Sequence, residues 1–249
     1  MDLRGSVAIV TGGSGGLGAH ICHALASEGV NVMVGYNSNH ENAESLVRAL
    51  RVKGVKSEII KFDVTDVKQI KVAVDKTVMS FGRIDILIND AAYNKFIPFE
   101  NLEALTYEEW SKILDVNLTG PMRTIKAVAN IMKSNGSGRI VNISSVAGLS
   151  PRGSSIAYAV SKAGLNHLTR CMAISLAPEI LVNCVAPGVL EGTKMSRNLT
   201  PEYRKHSIEN SLLKKVADKD DIANQVVEFC RTDSTTGQTI VIDSGMVFN

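Results

Sequence analysis

A doubly wound α/β domain is what this sequence predicts, on three observations. Short apolar runs and amphipathic helical stretches alternate along all 249 residues. The run Ile84-Asp85-Ile86-Leu87-Ile88 is almost continuously apolar, as parallel strands are when helices cover both faces of their sheet. A glycine-rich turn stands between the first run and the first helix, where ligands sit outside the carboxyl ends of strands in such folds.

In chain order, Val7-Ala8-Ile9-Val10-Thr11 reads as the first strand, and Ile21, Leu25 and Ala26 mark the buried side of the helix that follows. Val30 to Gly35 is the second strand, and Ala43 to Val47 lies in the second helix. Ser57 to Phe62 is the third strand, and Asp66 has the chemistry of an N-cap for the helix bearing Ile70, Val74 and Val78. The run at 84–88 is the fourth strand, followed by helix from about Tyr107 into Met132. Arg139 to Ser144, a helix holding Tyr158, Leu181 to Val185, a helix from about Lys219 to Cys230, and Thr239 to Ile242 complete the pattern. Seven strands result, and no linker or repeat divides the chain, so residues 1–249 are read as one domain.

Composition narrows the function classes. A net charge of +2 with no basic or acidic block gives no footing for nucleic acid or a membrane surface. No apolar run approaches the ~20 residues of a membrane span, and the N-terminus carries no leader pattern. Cys22, Cys171, Cys184 and Cys230 are scattered, without CxxC or histidine company, which suits packing in a reducing compartment and no metal site. His20, His23, His167, Met172 and Met195 are read as packing or surface residues. A cytoplasmic protein is the expectation.

The chemistry concentrates between Asn142 and Lys162. Tyr158 and Lys162 stand four apart, one helical turn on one face. An ammonium beside a phenol favours the phenolate, so Lys162 is expected to lower the Tyr158 pKa from its usual ~10. Alone, such a pair is commonly a surface pair. Upstream, Ser144 and Ser145 close a strand, and a hydroxyl there could polarise a carbonyl. The turn Thr11-Gly12-Gly13-Ser14-Gly15-Gly16-Leu17-Gly18 admits two spacings: Gly13, Gly15 and Gly18 fit G-x-G-x-x-G, while Gly12, Gly16 and Gly18 fit T-G-x-x-x-G-x-G.

Taken together, these motifs resemble the short-chain dehydrogenase/reductase family in its compact form, over nearly the whole chain. Thr11-Gly12-x3-Gly16-x-Gly18 is similar to its cofactor turn, Asn89-Asp90-Ala91-Ala92 to its Asn-Asn-Ala-Gly segment, and Tyr158-x3-Lys162 to its signature pair. Ser145, thirteen residues before Tyr158, has the spacing of the catalytic serine, which leaves Ser144 structural. Asn117 resembles the relay asparagine, and Pro187-Gly188 the turn after the sixth strand.

The resemblance implies a Rossmann-like domain and a role for each residue. Tyr158 would exchange a proton with the substrate oxygen as hydride moves, and Ser145 would orient the carbonyl. Lys162 would hold the nicotinamide ribose, and Asn117 would hold a water linking Lys162 to solvent. The cofactor would be met by Gly12, Ser14, Gly15, Gly16, Leu17 and Gly18; by Asn37, Ser38, Asp63 and Val64 at the adenosine end; by Asn89 and Ala91; by Tyr158 and Lys162; and by Pro187, Gly188, Leu190 and Thr193. Two departures stand out. Asp90 replaces an Asn, trading an amide donor for a charge. Ala92 replaces a Gly, so no positive φ is needed there.

Cofactor choice rests on Gly35-Tyr36-Asn37-Ser38-Asn39-His40, which lacks the acid that would repel a 2′-phosphate. NADP(H) is favoured; NAD(H) stays open, because Gly15 stands where many NADP-using members carry Arg. By resemblance the substrate pocket draws on Tyr93, Asn94, Phe96 and Phe99, on Leu149 to Arg152, and on a loop at about 189–213. The expected substrate is a small ketone or secondary alcohol. The alternatives are a 3-oxoacyl-carrier-protein reductase, whose acidic carrier finds no basic residues at Ser134-Asn135-Gly136 or Pro178-Glu179, and a catalytically idle nucleotide-binding protein. The helices around Asn117 and Tyr158 resemble those of the family's interface, implying a homotetramer.

Overall fold

The computed structural model describes residues 1–193, 196 and 201–248, with the backbone alone at residue 203. Seven parallel strands form one sheet in the order β3-β2-β1-β4-β5-β6-β7. They are β1 (Val7–Thr11), β2 (Asn31–Tyr36), β3 (Ser57–Lys61), β4 (Ile86–Asn89), β5 (Gly138–Ile143), β6 (Ile180–Pro187) and β7 (Thr239–Ile242). The order reverses between β1 and β4, so the chain runs outward in opposite directions from that pair and leaves a crevice at their carboxyl ends. Thr11 is level with Asn89, and Asn89 with Asn142, so the strand ends line up along that crevice.

The apolar runs bury both faces of the sheet. Along β1, Ala8 and Val10 join one core and Ile9 the other; along β4, Ile86 and Ile88 split from Leu87 in the same way. The first core is closed by α1 (Gly16–Ser27), α2 (His40–Val52) and α8 (Lys219–Arg231). The second is closed by α3 (Val67–Phe81), α5 (Gly120–Ser134) and α6 (Ile156–Leu176). Truncating a fully buried anchor such as Leu25 to Ala would cost about 2–5 kcal/mol.

Asp66 does cap α3, accepting from the Lys68 and Gln69 amides. The long helix expected from about Tyr107 to Met132 is broken: α4 (Tyr107–Leu114) passes through one π turn, Asp115–Thr119, before α5. The segment expected as a loop at about 189–213 holds a further helix, α7 (Pro201–Asn210), and part of it, with Met195, lies outside the described residues. Pro201 followed by Glu202 was a helix-start signal there; the surrounding residues carry too little apolar periodicity to support it. Among the described residues no helix is long and apolar enough to cross a membrane, and no cluster of metal-ligating side chains occurs.

Candidate active site

The crevice floor is a buried polar chain across β4, β5 and two helices. Thr124 of α5 donates to Asn89 Oδ1 at 2.7 Å, Asn89 Nδ2 donates to Asn142 Oδ1 at 2.9 Å, and Asn142 Nδ2 donates to Thr169 of α6 at 2.9 Å. These groups satisfy one another in the interior, fixing the heights of β4 and β5 relative to the helices. Asn89 therefore spends its side chain on the scaffold, and any cofactor contact from it falls to its backbone.

Two rims stand above this floor. One is the glycine turn. Gly12 has φ of +67°, the left-handed conformation that favours glycine, and a Cβ there would also meet the Ala91 backbone at 3.0 Å. At Gly18 a Cβ would lie 2.5 Å from the Gly12 carbonyl and 2.8 Å from Asp90 Oδ2. Gly18 belongs to both spacings, and the positive φ at Gly12 adds a glycine requirement at a position that only the T-G-x-x-x-G-x-G spacing includes. Thr11 secures the turn from below, its hydroxyl accepting from the Asp90 and Ala91 amides at 3.1 and 3.0 Å.

Helix α1 opens on Gly15 with no side-chain cap and no acid in its first turn. By contrast, α2, α3, α6 and α8 are closed by the side chains of Asn39, Asp66, Ser155 and Asp218, and α5 continues directly from the π turn. An open helix N-terminus behind a glycine turn fits the diphosphate of a dinucleotide: the amides supply donors and the macrodipole supplies positive potential. Ser14 and Gly15 are accessible on this rim, whereas Leu17 is buried in the first core. Where the adenosine end is expected, Asn37 and Ser38 are exposed, and Asn37 Nδ2 donates to Asp63 Oδ2 at 3.1 Å. Burial pushes the Asp63 carboxyl up, but hydrogen bonds from Thr65 and Asn37 outweigh it and hold it below its usual range. Val64 and Leu190 pack their side chains into or against the cores. Pro187 ends β6, and Gly188 lies so close to Asp243 that a Cβ would sit 2.7 Å from Asp243 Cβ. Thr193 lies against Gly16, with 3.2 Å between its methyl and a Cβ built there, so it faces the turn.

The second rim carries the reactive side chains. Ser145 opens a 3₁₀ turn, Val146–Gly148, that rests on α6; a Cβ at Gly148 would lie 2.5 Å from the Lys162 carbonyl carbon. This close approach, which sequence reasoning passed over, brings Ser145 to the Tyr helix. Its hydroxyl is hydrogen-bonded to that of Tyr158. Ser144, as expected of a structural residue, donates to the Lys162 backbone carbonyl at 3.1 Å. Tyr158 is 8% exposed and packs with Ile113, Ala147 and Ala157, against which Tyr93, Phe99 and Trp110 also lie. Of the expected pocket residues, Tyr93 and Phe99 therefore line the wall beside the phenol, while Phe96 and Arg152 are exposed.

Lys162 corrects one expectation. Its ammonium donates to the Ile143 carbonyl at 2.8 Å and lies 5.7 Å from the Tyr158 ring centroid. Burial pushes the phenol up to about 12, Asp90 adds to the rise, and the Ser145 hydrogen bond opposes it. Helical spacing alone predicted a lowered value; the desolvation of a buried phenol outweighs it. Lys162 itself is pulled down by burial to about 8, against the favourable fields of Cys184 and Asp90. The phenol is therefore protonated at neutral pH, the state of a proton donor.

Asn117 sits in the π turn, wholly buried, and clasps the segment after β4. Its Oδ1 accepts from the Tyr93 amide at 2.8 Å, and its Nδ2 donates to the Tyr93 carbonyl at 2.9 Å and to Ser161 Oγ at 3.1 Å. Both amide hydrogens are committed, so the side chain positions the cleft wall and has no hydrogen left for a relay water.

A glycine-turned dinucleotide crevice, a buried Tyr–Lys pair and a serine on the phenol define a nicotinamide-dependent oxidoreductase acting on a carbonyl or alcohol. The comparisons give the family: the sequence model described as short chain dehydrogenase matches residues 6–204, and the chain belongs to that family. It is similar to the 3-oxoacyl-[acyl-carrier-protein] reductase FabG of Staphylococcus epidermidis, 35% identical over 96% of this chain and 98% of the relative. Among solved structures it resembles a gluconate 5-dehydrogenase from Burkholderia cenocepacia in complex with NADP and tartrate, with TM-score 0.90, 29% identity, and 98% and 97% of the two chains covered. It also resembles the NADPH-dependent 3-quinuclidinone reductase from Rhodotorula rubra, with TM-score 0.91, 26% identity, and 98% and 92% covered.

Proposed function

We propose that this chain reduces a small ketone, or oxidises the matching secondary alcohol, with NADP(H) as hydride partner and Tyr158 as general acid/base. One observation carries the reading: a protonated, buried phenol, hydrogen-bonded to Ser145, stands on the rim opposite a glycine-turned helix N-terminus whose own N-cap residue supplies no side-chain cap. When bound, the nicotinamide supplies or accepts the hydride. In the reducing direction the Tyr158 hydroxyl gives its proton to the carbonyl oxygen as the carbon gains hydride, and Ser145 holds that oxygen in line. Lys162 would hold the nicotinamide ribose and, as a cation, stabilise the phenolate left behind. Asn117 acts as a positioning residue, and any water path from Lys162 to solvent runs through main-chain groups. Ser14, Gly16 and the amides of α1 would receive the diphosphate, and Ala91, Pro187, Gly188 and Thr193 would flank the nicotinamide half.

Three features support the finer choices. The exposed stretch Asn37 to His40 carries no acid, which favours a 2′-phosphate and hence NADP(H) over NAD(H). The apolar wall of Tyr93, Phe99 and Trp110 suits a small uncharged substrate. Exposed Met122 on α5 and Val160 and Ile174 on α6 suit burial between copies, in keeping with a homotetramer in the cytoplasm. A second reading, reduction of a carrier-bound 3-oxoacyl thioester, draws on the likeness to the staphylococcal reductase, and the absence of bases at 134–136 and 178–179 weighs against it.

The test is NADPH oxidation with a panel of small ketones and one carrier-bound 3-oxoacyl thioester, on the native chain and on Tyr158→Phe. Turnover of free ketones, reduced on the order of 10²–10⁴-fold by Tyr158→Phe, is the expected result. Turnover of the thioester alone would favour the second reading. NADPH binding without turnover of any carbonyl would make the protein a catalytically idle nucleotide binder.

A further inference from the structure

The mechanism leaves one half-buried carboxyl beside the glycine turn, Asp90, unused. Asp90 stands at the carboxyl end of β4, and its carboxylate accepts the Gly18 N–H, in the first turn of α1. It thus caps from across the sheet a helix that has no side-chain cap of its own. The glycine turn is pressed against it, with a Cβ at Gly18 only 2.8 Å from Oδ2. An asparagine would accept the same hydrogen bond without a charge. Here an acid does so, beside the amides that would receive the cofactor diphosphate.

We propose that Asp90 couples dinucleotide binding to a proton: its carboxyl is neutral when the diphosphate lies on α1, and its ionised form weakens that binding. This inference rests on the cofactor reading above. Two anions at one helix N-terminus compete for the same positive potential, and burial of both removes the screening water would give. The charged and titratable groups facing Asp90 are Lys162 and Tyr158 of α6 and Cys22 of α1. Only Lys162 is cationic, and it is shared with the Ile143 carbonyl. Burial, opposed by Lys162 and the Gly18 N–H, already leaves Asp90 up at about 7 in the free chain. Binding therefore draws a proton onto Asp90 in the neutral range.

Isothermal titration of NADPH into the full chain, at about pH 6 and about pH 8 in buffers of different ionisation enthalpy, tests this. The native chain is expected to bind on the order of tenfold more weakly at the higher pH and to take up close to one proton there. Asp90→Asn keeps the acceptor for Gly18; it should bind at the higher pH about as tightly as the native chain does at the lower, without that uptake. Equal pH dependence and equal uptake in the native chain and Asp90→Asn would overturn the inference. Should Asp90→Asn fail to fold, the absence of proton uptake by the native chain would overturn it equally. No NADPH binding at either pH would overturn the cofactor reading as well.

Discussion

Replacing Asn117 by Ala separates scaffold from chemistry. The substitution deletes three hydrogen bonds, to the Tyr93 amide, the Tyr93 carbonyl and Ser161 Oγ. Each is worth about 1 kcal/mol net, and a buried partner left unpaired costs about 1–3 kcal/mol. Ser161 keeps its bond to the Tyr158 carbonyl at 2.7 Å, so the two Tyr93 groups bear most of the loss. A total of about 3–5 kcal/mol follows, a large share of the ~5–15 kcal/mol that holds a domain folded. In thermal denaturation that is roughly 8–15 °C for a chain of this size. The loosened Tyr93 segment should also raise KM. A Tm within about 2 °C of the native value, with kcat alone collapsed, would refute the positioning role and make Asn117 part of the proton path.

Gly18→Ala places a methyl 2.5 Å from the Gly12 carbonyl and 2.8 Å from Asp90 Oδ2, so the turn must open; NADPH affinity measured by calorimetry should fall more than about tenfold, with the chain still folded by circular dichroism. Asp90 also carries a stability signature. Its folded pKa is raised from 3.8 to about 7, so the stabilisation is complete below the unfolded value and is lost as pH rises through the folded one. Relative to Asp90→Asn, the native chain should lose up to about 4 kcal/mol between about pH 4 and about pH 7 in urea titrations. A parallel pH course for the two proteins would contradict that shift.

Much of the site was legible because its signals are local. Four-residue spacing puts Tyr158 and Lys162 on one face whatever surrounds them, and continuous apolar runs announce strands covered on both sides. The polar floor was not legible: Thr124, Asn142 and Thr169 meet only because parallel strands and their crossovers bring distant segments into register. The trans cap by Asp90 has the same origin. The departure from Asn was visible in the chain, but the Gly18 amide it serves lies seventy-two residues away. The π turn at 115–119 escaped because its sequence keeps helical periodicity through the bulge. The phenol's upward shift escaped because helical spacing says which side chains are neighbours and nothing of how deeply they are buried.

Transfer of deuterium from NADPH labelled at the reactive nicotinamide carbon, followed by mass spectrometry of the product alcohol, tests the central claim most directly. Label on the former carbonyl carbon, with the hydroxyl hydrogen drawn from solvent and the transfer slowed at least about a hundredfold by Tyr158→Phe, is the predicted result. Label transfer that Tyr158→Phe leaves unchanged would contradict the assignment of Tyr158 as the proton donor.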